Sequence, residues 1–158
     1  MPTIRESSPR KSYATASITR QAAADLLDAA RAVGQKLGFE PATAIVDIGG
    51  HLVAFERGDT TPFLAGTIAI DKAWTAASYR VSSSYWNDYV QNPAVSALQN
   101  SPRVMPVGGG YAIVDDDHVV GAIGISGGTL AQDERAALAA IEQLGFTTTD
   151  ASRSSQDD

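Results

Sequence analysis

Residues 107–128 read VGGGYAIVDDDHVVGAIGISGG, and the way this stretch folds decides the architecture. It carries seven of the chain's fourteen glycines. Its middle nevertheless has the β-branched and aromatic content of strands, where glycine is normally a liability. Two strands, at about 110–114 and 118–125, joined by the acidic turn Asp115-Asp116-Asp117, account for the pattern. Folded as a hairpin, the stretch brings Gly108, Gly109 and Gly110 beside Gly127 and Gly128. The glycines then form one bare-backbone region instead of two unrelated loops. Thr129 follows as the N-cap of a helix over 130–144, with Gln132 three residues later as its capping-box partner.

Working outward, TAIVDI (43–48), Gly49-Gly50 and HLVAFER (51–57) read as two further strands around a two-residue hairpin turn. A first helix begins after Thr19. Ala22, Ala23, Leu26, Leu27, Ala30, Val33 and Leu37 recur at helical spacing, and Gly38 stops it. A second helix, over 63–79, has an alanine-rich face suited to close packing. Residues 83–90 and 93–100 read as short helices broken at Asn92-Pro93. Hairpins separated by helices predict an α+β domain whose central antiparallel sheet has about five strands flanked by helices. Residues 1–17 and 147–158 are rich in Ser, Thr and charge and read as flexible tails around one domain at 18–146.

Composition narrows the function. The chain has 158 residues, 44% hydrophobic and 19% charged, with a net charge of −6. An acidic protein without a basic face argues against nucleic-acid binding. No apolar run approaches the roughly 18 residues of a membrane span, and no secretory signal is visible at the N-terminus. The absence of cysteine excludes disulfides, thiolate catalysis and cysteine-ligated metals, and fits a cytoplasmic location.

Chemistry has few places to sit. Gly128 opens a helix N-terminus, whose free N–H groups attract anions; Gly109 and Gly110 lie beside it in the hairpin. Their alternative use is tight turns and close helix–sheet packing. Asp133 and Glu134 fall in the first turn of the last helix, where they complement its dipole or face the glycine region. Arg57 and Asp59, in ERGDTTPF, either bind a polar ligand or pair with each other. Lys72 lies between Ile70 and Ala73, as a snorkelling surface residue or as a partly buried cation. His51 and His118 each follow a hairpin turn. No histidine pair makes a zinc site and no G-x-G-x-x-G opens a helix, so neither zinc nor a nucleotide is indicated. Haem needs only one axial ligand and stays open. Tyr85, Trp86 and Tyr89, on one short helix, serve either core packing or a lid over a planar ligand.

These motifs carry a resemblance. V-D-x-G-G-x-L, K-A-x-T-A and G-A-I-G-x-S-G-G-x-x-x-Q-D-E, spread over residues 19–145, resemble the GlcG/HbpS family of haem-binding or haem-degrading domains. That family is similar to the C-terminal domain of PduO-type corrinoid adenosyltransferases. The resemblance implies a profilin-like fold, homo-oligomers, and haem or a corrinoid as ligand. It also implies a small-molecule cleft near Asp47, Arg57, Asp59, Lys72, Gly109, Gly110, Asp133 and Glu134. The chain departs from the family pattern at Gly58-Asp59-Thr60 and at Gly109-Gly110-Tyr111-Ala112. Tyr111 thus becomes a candidate ligand contact alongside His51. Three readings follow. The first is a haem or corrinoid binder. The second is a cofactor-independent hydrolase, deaminase or tautomerase of a carboxylated metabolite. There Arg57 or Lys72 is the carboxylate clamp, Gly109, Gly110 and Gly128 supply oxyanion donors, and Asp59, Asp133 or Glu134 is the acid/base. The third is a non-catalytic oligomerisation module.

Overall fold

The computed structural model describes residues 10–149. Its elements run α1 (Arg20–Leu37), β1 (Ala42–Asp47), β2 (Leu52–Arg57), α2 (Phe63–Tyr79), α3 (Ser83–Tyr89), a 3-10 turn (Ser96–Asn100), β3 (Gly110–Asp115), β4 (His118–Ser126) and α4 (Leu130–Gln143). Local chemistry sets the helix ends. Thr19 Oγ1 accepts the Ala22 N–H at 3.1 Å, and Gly38 closes α1 at φ 83°, a left-handed conformation that glycine adopts without penalty. Thr129 and Gln132 form the expected capping box at α4. Gln132 does more: its Nε2 donates to the Leu37 carbonyl at 2.9 Å, tying the start of α4 to the end of α1.

The sheet is antiparallel, with strand order β2-β1-β4-β3, so two hairpins meet through their inner strands β1 and β4. It has four strands where about five were expected. Along the free edge of β3 the chain makes one antiparallel bridge, Val114 with Thr147, through N–H to carbonyl bonds of 2.8 and 3.0 Å. The polar run after Phe146 has no alternating apolar side chains to bury, so pairing stops after one residue. Most of each expected tail, residues 1–9 and 150–158, lies outside the described residues. Ile18 is anchored by its N–H to the Val120 carbonyl at 2.8 Å.

The hairpin turns differ from each other. Asp116 and Asp117 make a tight turn with φ of 44° and 63°, the two left-handed residues that a two-residue hairpin needs. The β1–β2 turn is wider than the expected Gly49-Gly50 turn. Asp47 donates its N–H to the His51 carbonyl (2.8 Å), and the register shifts after Ile45. The Asp47 side chain causes this, because its Oδ1 accepts the N–H groups of both Gly49 and His51 at 2.9 Å.

The sheet's two faces carry unlike side chains. Ile45, Tyr111, Ile113, Ile123 and Ile125 point to a core shared with Leu26 and Ala30 of α1 and Ala136, Ala140 and Ile141 of α4. The other face is stripped to Ala42, Ala44, Val46 and Ala122 beneath the alanines of α2. With so little between them, the α2 backbone rests on the strands. A Cβ on Gly124 would lie 2.1 Å from the Ala69 carbonyl oxygen, and one on its cross-strand partner Gly110 would lie 2.4 Å from that of Lys72.

Candidate functional site

The two glycine runs do meet, with the Ile125 N–H donating to the Gly109 carbonyl at 2.9 Å. What fills the space beside them is Lys72. From α2 on one side of the sheet, its Nζ passes the end of β4 and reaches Asp133 of α4 on the other side. It donates to Asp133 Oδ2 at 2.9 Å and to the Ile125 carbonyl at 2.8 Å. Gly109 makes room for the amine: with φ 112°, a Cβ there would stand 3.0 Å from Nζ and 2.7 Å from the Ile125 carbonyl oxygen. Asp133 Oδ1 takes the Gly128 N–H at 2.9 Å. Lys72 is 2% exposed and Asp133 4%. Burial raises the Asp133 carboxyl above the ordinary carboxylate value, and the bonds from Lys72 and Gly128 offset this only in part.

Sequence reasoning missed one member of this region. Ser83 is fully buried at the start of α3; its Oγ accepts the Gly110 N–H at 2.8 Å and donates to the Val107 carbonyl at 2.6 Å. The only hint was its place in a serine run, which fits a helix cap equally well. Two of the three amides expected as oxyanion donors, those of Gly110 and Gly128, are thus bonded to the chain's own side chains. Glu134 is half-buried and lies against Gly108, where a Cβ would meet its Oε1 at 2.2 Å.

The remaining candidates divide among other places. Arg57 and Asp59 are exposed and line a separate polar cavity of about 340 Å³ with Arg31, Glu40 and Glu56. There Arg31 is held between Glu56 and Asp28, whose hydrogen bonds raise its already high pKa. Glu40 accepts the Thr60 hydroxyl and N–H, which lower its pKa. Tyr111 is 7% exposed and belongs to the core beneath α1 and α4. Asp47 and His51 sit at the opposite end of β1, about 17 Å along the strand from the glycine end. Partial burial opposes it, yet the His51 and Gly49 N–H groups hold the Asp47 carboxyl below its ordinary value. The His51 side chain is 82% exposed, and the exposed His118 places its Nδ1 2.7 Å from the Asp116 carbonyl. Among the described residues no three His, Asp or Glu side chains gather as metal ligands. No described helix is long and apolar enough to cross a membrane.

A fourth place is apolar. Tyr79, Val81, Tyr85, Trp86, Tyr89 and Leu98 line a cavity of about 250 Å³ where α2 gives way to α3. Trp86 meets Tyr79 and Tyr89 edge-to-face at 5.1 and 5.7 Å between centroids, and Tyr85 stacks on Tyr89 at 5.8 Å. The short α3 presents Tyr85 and Tyr89 to solvent, while Trp86 turns inward onto Val81, Val90 and Val104.

A four-stranded antiparallel sheet between α1/α4 and α2 defines an α+β small-domain class, and comparison with known proteins makes it specific. The family model for haem degrading protein HbpS-like matches residues 18–142, and the chain belongs to that family. It is 32% identical over 136 residues to an uncharacterized 15.0 kDa protein in the dhaT-dhaS intergenic region of Citrobacter freundii, covering 84% of this chain and 95% of that protein. It is 34% identical over 109 residues to protein GlcG of Escherichia coli K12, covering 69% and 81%. The crystal structure of a PduOC:haem complex superposes with a TM-score of 0.76 at 28% identity, covering 84% of this chain and 98% of that one.

Proposed function

We propose that this chain binds a flat tetrapyrrole, haem first and a corrinoid second, as a cytoplasmic homo-oligomer. The observation that carries the reading is the aromatic cavity at the α2–α3 junction, in a fold that matches a haem-complexed relative over 84% of the chain. Aromatic walls suit a conjugated ring, because offset and edge-to-face ring contacts add to the burial of apolar area. The cavity's 250 Å³ is below the roughly 300–1,000 Å³ of an enclosing ligand pocket. It therefore takes one edge of a macrocycle and leaves the rest outside. At this cavity the hydroxyls of Tyr79, Tyr85 and Tyr89 are the side-chain groups that could hold the iron, which would supply the redox or oxygen chemistry of the bound state. Exposed Phe63 and Leu64 at the start of α2 support self-association.

The test is titration of the purified protein with hemin, read as a saturable Soret shift, with light scattering for the assembly state. Saturation at one hemin per chain in the micromolar range is expected. A linear, non-saturating response up to tens of micromolar overturns the reading. An enzyme acting on a carboxylated metabolite is the second reading, favoured by the raised Asp133 carboxyl. It requires the Lys72–Asp133 pair to open, because both groups are bonded to each other. Turnover of a small carboxylic acid that disappears in folded Asp133→Asn protein would carry it.

A further inference from the structure

Between the β1–β2 turn and the end of α2 lies a cavity of about 260 Å³ that neither reading above uses. Gly49 and Gly50 line it from the turn, and Trp74, Ala77 and Arg80 line it from the helix side. Arg80 closes α2 at φ 58° and ψ 37°, a left-handed conformation that disfavours any residue with a Cβ and that glycine adopts freely. Gly38 holds the equivalent place at the end of α1. A cation does suit the negative end of a helix dipole, but a position within the last turn would supply it without left-handed strain. The Arg80 guanidinium has no acceptor among the described residues; what is bonded is the Arg80 carbonyl, which accepts the Thr149 hydroxyl at 2.7 Å.

Trp74 supplies a second donor. Its indole Nε1–H has no acceptor among the described residues and, unlike that of Trp86, is not sealed from solvent. Gly50 keeps it open: at φ 81°, a Cβ there would stand 3.1 Å from Trp74 Cδ1 and 3.2 Å from Nε1. The ring itself is held in place. The Arg103 guanidinium lies 4.8 Å from its centroid and is tied through Nε to Asp71 at 3.2 Å. No carboxylate is among the side chains that line the cavity.

We propose that this cavity binds the carboxylate of a small organic acid, held by the Arg80 guanidinium and the Trp74 indole N–H. One positive charge and a second donor match the single charge and two oxygens of a carboxylate. A phosphate, with more charge and more acceptor oxygens, would be left short of partners beside the carbonyl end of α2. The cavity is below the roughly 300–1,000 Å³ that encloses a whole ligand, so it takes the carboxylate end and leaves the rest in water. Arg80 is thus kept for its side chain at a position whose backbone favours glycine. The site does not depend on a bound tetrapyrrole.

The experiment titrates isotope-labelled protein with sodium propionate at constant ionic strength, with inorganic phosphate and propionamide as comparison probes. The chain has two tryptophans, so two indole N–H resonances are read, and Trp74→Phe or Trp86→Phe tells them apart. Propionate is expected to move the Trp74 resonance saturably in the millimolar range and to leave that of Trp86 in place. Propionamide, without the charge, should bind at least about tenfold more weakly. Arg80→Gly is expected to weaken propionate by about tenfold, the loss of a charge-assisted pair. It should keep or raise the Tm, because glycine relaxes the backbone there. Arg80→Lys, which keeps the charge without the planar fork, should fall between Arg80→Gly and the wild type. Phosphate binding as tight as propionate would overturn the ligand class. The site itself is overturned if propionate does not saturate by about 100 mM, if Arg80→Gly stays within twofold of the wild type, or if its Tm falls by several degrees, which would make Arg80 structural. Hemin titration of the same variants should stay within twofold of the wild type, so failure of this site and failure of the tetrapyrrole reading are seen separately.

Discussion

Lys72 and Asp133 are charged and lie inside; Tyr79, Tyr85 and Tyr89 are large rings and lie outside. At the glycine end of the sheet the buried polar side chains are matched. The ammonium has a carboxylate and a carbonyl, the carboxylate has an ammonium and an amide, and Ser83 serves Gly110 and Val107. At the α2–α3 junction the reverse holds, with apolar rings in water and one indole donor unmatched. The difference separates two meanings of an unusual residue. A buried charge whose bonds are complete holds the layers of the fold together. An exposed aromatic wall leaves apolar ring area in water and holds no layers together.

The sharpest way to break this contrast is to remove one partner of the buried pair. Lys72→Met leaves an uncompensated carboxylate and is expected to cost about 3–5 kcal/mol in urea unfolding, while Lys72→Met with Asp133→Leu should recover most of that loss. A single variant costing under 1 kcal/mol would show that water reaches the pair and that it is no strut. Next in size is Gly124→Ala. Its Cβ would meet the Ala69 carbonyl oxygen, so the helix must lift from the sheet, at an expected cost of about 1–3 kcal/mol. Wild-type stability in the same assay would deny that α2 rests on the strand backbone.

A pH titration sharpens the picture further. The Asp133 carboxyl titrates above its unfolded value of 3.8, so the native state keeps its proton longer than the unfolded chain. Native protein then binds more protons, and stability falls as pH rises from 3.8 through the raised native pKa. Measured as wild type minus the double variant, the difference should decline across that window; a rise would mean that Lys72 outweighs burial. The smallest effect belongs to the other region. Tyr85→Ser should lower unfolding free energy by about 0.5–1.5 kcal/mol, the order of its stacked contact with Tyr89. A larger loss would make the aromatic wall part of the folding core.

How much of this was legible in the sequence follows from how local each cause is. Thr19, Gly38, Thr129 and Gln132 act within one helical turn, and their roles follow from their spacing. The second hairpin and the meeting of the glycine runs follow from strand pattern and turn length. The fate of Lys72 depends on Asp133, sixty-one positions away, and on a side chain that Gly109 lacks. Seen from its own helix, it suits the surface and the interior equally. Asp47 illustrates a second limit: an Asx turn and a ligand-binding carboxylate look alike until the Gly49 and His51 amides are placed. The aromatic segment on α3 was visible as a choice between core and lid. The i, i+4 spacing puts Tyr85 and Tyr89 on one face of α3; that Trp86 turns inward depends on Val81 and Val104, which lie outside that helix.

Gln132 links two helices through one side chain. It receives the Thr129 N–H on Oε1 (2.8 Å) and gives an Nε2 proton to Leu37, so one amide group closes two helices. Helix termini ordinarily fray independently, each exchanging its amide protons at its own rate. Here the last turn of α1 and the first turn of α4 cannot open separately without breaking the same side chain's bonds. The two segments, 95 positions apart in the chain, should therefore exchange with solvent as one cooperative unit.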